Sequence, residues 1–225
     1  MSKDTELPVE TSLAGQGNLT LWKSVEKTPP EMTKLVAFGK RKYTAIDPQW
    51  QLRVATALWG PYGHRWGLRN LDCKMVEVHE HDDKGGYLAS AVILKADFFY
   101  PLDDKEVSFE IMNEDYFKAG DDTLKKLVTN TRSKALSQLG FSADVFLGKF
   151  DDEKYVKNLQ AVFDDQDAFA NTIAAAIRTA KDLPTLVKYK EKLEGIIADG
   201  TLDDVAVAQE LMELVTERKR ELSVK

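Results

Sequence analysis

The sequence predicts an α+β protein: a helix, an antiparallel three-stranded meander and a long helix, followed by an all-α C-terminal module. Three observations carry this. Apolar residues recur at helical spacing in "DPQWQLRVATALW", in "DDTLKKLVTNTRSKALSQLGF" and again beyond residue 168. Between the first two helices the period changes, giving "WGLRNLDCKMVEV", "GGYLASAVILKADFFYP" and "EVSFEIMNE", short apolar or alternating runs. The punctuation between those runs, "HDDKGG" and "PLDDKE", is the chemistry of tight turns between neighbouring antiparallel strands.

Taken in order, residues 1–18 hold no apolar stretch of the kind a signal peptide needs and predict a polar, flexible tail. Pro29-Pro30 interrupts any long helix and marks a turn, and "GKRKY" (Gly39 to Tyr43) reads as a basic loop. Asp47-Pro48 is a helix start, an N-cap with proline in the first position, and Gly60-Pro61 is the stop. The helix after the meander takes Asp121 or Asp122 as cap and ends at Gly140, where Phe141 can fold back onto the last turn. Leu124, Leu127, Val128, Ala135 and Leu139 form its expected buried stripe. A boundary is expected near "VFDDQDAF", dividing residues 19–157 from an acidic helical module over 158–225. In that module Asp182 and Pro184 open one helix and Gly200 closes it. A last helix then runs from Leu202, and Leu186, Tyr189, Leu193 and Ile196 predict that the two pair as a hairpin.

Length and charge bound the function. The chain has 225 residues, 43% hydrophobic and 30% charged, enough for one well-cored domain and a small appendage. Its single cysteine, Cys73, excludes an intramolecular disulfide and fits a reducing cytoplasm. No apolar run approaches the roughly 20 residues of a membrane span. The net charge is −6, unevenly spread: residues 1–150 carry 20 Lys/Arg against 21 Asp/Glu, residues 151–225 carry 11 against 16. The acidic end repels nucleic acid, while the near-neutral body leaves room for a basic stripe.

The helix at Asp121–Phe141 concentrates Lys125, Lys126, Arg132 and Lys134, with no acid between Leu124 and Phe141. Lys125 and Arg132 fall about 20° apart around the axis and roughly 10 Å apart along it, with Thr129 between. Two cations and a hydroxyl in a row can track phosphates; the same pattern also suits a solvated helix side. In "ALWGPYGHRWGLR", Trp59, Tyr62 and Trp66 beside Arg65 and Arg69 offer stacking faces for unstacked bases, or equally a helix stop with its tryptophans in the core. His79, His81 and Asp82 are metal-capable, yet the two histidines share a face at a strand end next to ordinary turn residues. No phosphate-binding glycine loop and no Gly-x-Ser-x-Gly nucleophile turn occurs.

Two of these stretches, "TAIDPQWQLRVATALWGPYGHRWGL" and "DDTLKKLVTNTRSKALSQLGFSADVFLGKFDDEKYV", resemble the single-strand annealing proteins of bacteriophages and prophages, in the group related to the eukaryotic annealing mediator Rad-fifty-two. In that family a helix ending in an aromatic-glycine turn precedes a β-β-β-α core. Its next helix carries a lysine-rich start, a Thr-Asp-like pair and a Lys/Arg-Ala-Leu stretch before glycine. The matching positions are Lys125-Lys126, Thr129-Asn130 and Lys134-Ala135-Leu136 before Gly140. Asn130 stands where the family often has Asp, and Arg132 and Ser133 differ from the basic pair of the eukaryotic relatives. The likeness spans about residues 20–157.

The resemblance implies ATP-independent binding and annealing of single-stranded DNA in phage-type recombination and repair. No covalent step and no cofactor is implied, and the setting is the bacterial cytoplasm. It further implies a homo-oligomer, ring or helical filament, with DNA in a groove crossing successive subunits. The phosphate contacts it suggests are Lys125, Lys126, Arg132 and Lys134 first, then Arg41, Lys42 and Arg53, with Trp59, Tyr62 and Trp66 for bases. The acidic C-terminal helices would recruit a phage exonuclease or the host single-strand-binding protein. Two rival readings are a structural oligomer without a DNA role and a metal-dependent enzyme using His79, His81 and Asp82.

Overall fold

Asp47 begins the first long helix as its sequence implies: its carboxylate accepts from the Gln49 N–H at 2.8 Å, and Pro48 needs no partner at the first position. The computed structural model describes residues 17, 19–38, 41–82, 85–102, 105–117, 122–202 and 204–223. Apart from Gly17, the expected tail lies outside them. The elements are α1 (Thr20–Val25), β1 (Thr33–Phe38), β2 (Arg41–Ile46), α2 (Pro48–Trp59), β3 (Gly67–Asp82), β4 (Gly85–Leu102) and β5 (Lys105–Tyr116). They continue with α3 (Thr123–Gln138), α4 (Ala143–Phe146), α5 (Glu153–Thr179), α6 (Leu183–Ala198) and α7 (Val205–Ser223). The class is α+β, with antiparallel sheets and helices.

The meander is present as an antiparallel sheet in the order β3-β4-β5. A register shift between Arg69 and Asp72 bulges β3, and Asn70 there takes a φ of 53° while its amide donates to Asp97 at 2.7 Å. A second sheet, β1-β2, corrects the basic loop expected at "GKRKY": residues 41–43 are strand, paired back to Val36, Ala37 and Phe38. The apolar run Leu35–Phe38 and the alternation of Lys42, Tyr43, Thr44 and Ala45 carry that signal, though the intervening cations read as loop.

The core lies between the sheet and α2. Trp59, Trp66, Phe98 and Phe141 are buried together with Val54, Ala55, Ala96 and Leu136. Trp59 stands 5.8 Å from Trp66 and 5.4 Å from Phe141, ring centre to ring centre. The one polar atom of the Trp66 ring, Nε1–H, donates to the Gly60 carbonyl at 2.7 Å, so the indole is buried without an orphaned donor. Gly140 exits α3 at φ 98°, and the Phe141 N–H returns to the Leu136 carbonyl at 3.2 Å. A Cβ on Gly140 would come within 2.7 Å of the Trp22 ring. The stop is therefore set by backbone sign and by a close approach of α1.

Asp144, buried at the start of α4, ties three segments together. It accepts from the Thr28 N–H at 2.9 Å, the Thr28 hydroxyl at 2.8 Å and the Tyr155 hydroxyl at 3.1 Å. Burial pushes its carboxyl above the usual carboxylate range, and those hydrogen bonds pull it partly back. Burial and the neighbouring Asp144 raise the Tyr155 hydroxyl in turn.

The expected division at residues 157/158 falls inside α5, which runs unbroken for 27 residues. Leu159, Phe163, Ala170, Ala174 and Ile177 keep a buried helical stripe through the acidic run, so the carboxylates sit on the outer side and interrupt nothing. The paired C-terminal helices follow, Leu186 and Leu193 packing with Leu202, Leu211 and Val215. The last helix starts at Val205 rather than Leu202. Leu202 is buried in the module core, and Asp204 accepts from the Ala206 and Val207 N–H groups as its cap. No helix among the described residues is long and apolar enough to cross a membrane.

Candidate nucleic-acid interface

α3 packs against β4 and β5, and its direction on the sheet sorts its cations. Leu127 and Val128 rest on Val92 and Leu94, while Thr123, Thr131, Ala135 and Leu136 complete the buried side. Leu124, expected in that stripe, is exposed, although Thr123 beside it is buried. Lys134 leaves the β5 flank, where its ammonium donates to the Met112 carbonyl at 3.1 Å. Arg132 leaves the opposite flank and lies over the Tyr62 ring, 5.5 Å from its centre. Lys125 shares that flank by helical geometry, one heptad earlier. Lys126 points elsewhere on the wheel and has interactions of its own.

The Arg132 flank overlooks a bare part of the sheet. Cys73 and Met75 pair with Leu94 and Val92, and directly opposed residues of an antiparallel pair share a face. Both therefore lie on the face that carries α3, yet α3 packs chiefly on β4 and β5. Met75 is 61% exposed and Cys73 is exposed beside it. The result is a trough with Lys125, Thr129 and Arg132 as one wall, β3 as floor and Tyr62 at one end. Glu77 shares that face farther along β3 and marks an acidic limit. In the wall, Lys125 makes a 3.5 Å contact with Asp122, an exposed and weak pairing that leaves the ammonium available to an anion. The Thr129 hydroxyl donates its proton to the Lys125 carbonyl at 3.0 Å, so it offers a lone pair rather than the donor anticipated for a phosphate.

Several expected site residues lie elsewhere. Trp59 and Trp66 are core residues at 7% and 0% exposure, and neither presents a ring face on which a base could stack. Tyr62 alone of the three is open, at 41%, and its hydroxyl accepts from the Leu68 N–H at 3.3 Å. Arg53 turns away from α3 to pair with Glu210 of α7 at 2.7 Å, its guanidinium also over the Trp50 ring. Arg69 crosses to the far face of the sheet, paired with Glu106 at 2.6 Å and stacked on Phe99. Lys42 is exposed on the β1-β2 ribbon; the Arg41 side chain lies outside the described residues. His79 is exposed on β3, and the side chains of His81 and Asp82 also lie outside the description. Among the described residues no three His, Cys, Asp or Glu side chains converge on a metal-sized site.

The open face of β3 escaped sequence reasoning. Alternation along "LDCKMVEV" marks a half-buried strand but does not say which stretch a later helix will cover. The exposed Met75 has the signature of a core residue. Compared with known proteins, the chain matches no protein-family model, no curated protein and no solved structure. The class defined by fold and site is therefore an α+β domain with a helix laid off-centre on an antiparallel sheet and a cationic trough beside it.

Proposed function

We propose that this chain binds single-stranded DNA in that trough and anneals complementary strands without ATP and without a covalent step. The observation that carries the reading is the placement of Lys125 and Arg132 on one flank of α3, above an uncovered strand. Phosphates meet the two cations about 10 Å apart, a span of one to two nucleotides of extended chain. Tyr62, backed by Arg132, gives one base a ring to stack on, a contact that does not depend on sequence. Lys126 and Lys134 border the same helix and add to its field. One protomer with so few cations binds weakly. A ring or filament of copies gains through effective concentration, which reconciles binding with an acidic chain. The acidic α5–α7 end is the surface for protein partners, an exonuclease that resects ends or the host single-strand-binding protein.

The test is annealing of two complementary labelled oligonucleotides by the purified protein at low ionic strength, with no nucleotide added. Faster duplex formation than in the protein-free mixture supports the proposal. Failure to bind either strand in that buffer refutes it.

A further inference from the structure

The β1-β2 ribbon pairs only with itself among the described strands, and two strands alone are at best marginally stable in water. Its cross-strand register puts Leu35 and Lys42 on one face, Lys34 and Tyr43 on the other. Both apolar side chains are bare, Leu35 at 69% exposure and Tyr43 at 52%. From Thr33 to Ile46 the chain carries Lys34, Lys40, Arg41 and Lys42 and no acid. This is a basic arm with an apolar anchor on each face, and among the described residues Leu35 and Tyr43 are left uncovered.

A cleft of about 860 Å³ has the opposite character. It lies between α2, α5 and α7, floored by Trp50, Phe163, Leu211 and Leu214. Along its rim Glu210, Glu213 and Glu217 occupy positions i, i+3 and i+7 of α7, a row of carboxylates roughly 10 Å long. Three arginines also line it against six carboxylates, and one of them, Arg53, is held by Glu210. Glu213 and Glu217 are exposed. The cleft thus combines an apolar floor with a negative rim, the complement of the ribbon in both respects. The ribbon springs from Met32 at the rim of its own protomer's cleft, and the exposure of Leu35 and Tyr43 shows that it does not fill that cleft.

We infer that the cleft of each protomer receives the β1-β2 ribbon of a second copy of this chain. Leu35 enters over the apolar floor with Lys42, on its own face, against the carboxylate row of α7, or Tyr43 enters with Lys34 in the same way. The contact joins two different surfaces, so it repeats head to tail and generates a ring if the rotation closes or a filament if it does not. This gives the multimer of the proposed function a specific joint, and it rests on that reading for its purpose. It also moves Lys42 from the DNA to the neighbouring protomer.

The test is sedimentation of the full-length protein without DNA at low ionic strength, where charge pairing is least screened. Wild type should sediment as a multimer. The variants K34E/K42E and E213K/E217K should each fall to single protomers. Their equimolar mixture should reassemble, because every joint in it is again of opposite charge. Thermal melts verify folding, and K34Q/K42Q, which should weaken assembly at least tenfold, serves if charge reversal unfolds the ribbon. A monomeric wild type, an unaffected variant or a mixture that stays dissociated overturns the inference. The outcomes separate cleanly from the DNA reading. A protein that anneals while its charge-reversed variants still assemble keeps the function and loses the joint. One that assembles through the ribbon but binds no strand keeps the joint and loses the function.

Discussion

Removing Lys125 and Arg132 together tests the trough at its most exposed point. Each cation that neutralises a phosphate of a single strand contributes about 0.7 to the slope of log affinity against log salt. The double variant K125A/R132A should therefore shallow that slope by about 1.4 for each protomer engaged. Over a fourfold rise in salt, from about 50 to about 200 mM, wild type should lose about sevenfold more affinity than the variant. The geometry favours a clean result. Among the described residues Lys125 holds the exposed 3.5 Å contact with Asp122 and Arg132 the Tyr62 ring, worth about 0.5–1 kcal/mol at such a site. Folding should survive, which a melt verifies. The assay is a fluorescence-anisotropy titration of a labelled oligonucleotide at several salt concentrations. K154A/K157A on α5 is the control for simple loss of charge. A slope unchanged in K125A/R132A, or shallowed equally in the control, refutes the trough as the phosphate site.

Three further outcomes follow from the packing. Tyr62→Ala should lower affinity by about 1–3 kcal/mol while leaving the salt slope intact, since stacking releases no counterions; a changed slope with unchanged affinity would sink the stacking role. Gly140→Ala should destabilise the fold by more than about 1 kcal/mol in urea unfolding, because alanine is strained at φ 98° and its Cβ meets Trp22. Asp144→Asn should cost about 1–3 kcal/mol, as an amide has one acceptor oxygen for donors that now reach two. The raised carboxyl of Asp144 also has a pH signature. The folded state holds that proton more tightly than the unfolded chain, so the associated stability is full below the ordinary carboxylate range and is lost as pH rises through the folded value. Asp144→Asn should flatten that part of the stability profile; parallel profiles for the two proteins would contradict the assignment.

Local chemistry made much of this fold legible. The start of α2 at Asp47-Pro48 and the glycine exit of α3 are decided within a few residues of themselves. Each depends on backbone sterics or on one nearby hydrogen bond. The misreadings share the opposite property. Leu124 has the spacing of a core residue but is left exposed at the start of α3. The acidic run in α5 resembles a break, yet Leu159 and Phe163 before it and Ala170 and Ala174 after it keep one buried stripe. Trp59 and Trp66 flank glycines as surface aromatics often do, and only Phe98, Phe141 and the Gly60 carbonyl put them inside.

By itself the sequence determined the α+β class, the antiparallel meander and the concentration of cations on one helix. Periodicity and turn chemistry act over distances shorter than a single element, so no partner is needed to read them. The tertiary structure alone decided which of those cations share a flank, that Arg53 belongs to Glu210, that Arg132 lies over Tyr62, and that Met75 is left bare on β3. Those facts depend on where α3 settles across the sheet and where α7 meets α2. Both are set by burial summed over many distant side chains, a quantity no local stretch contains.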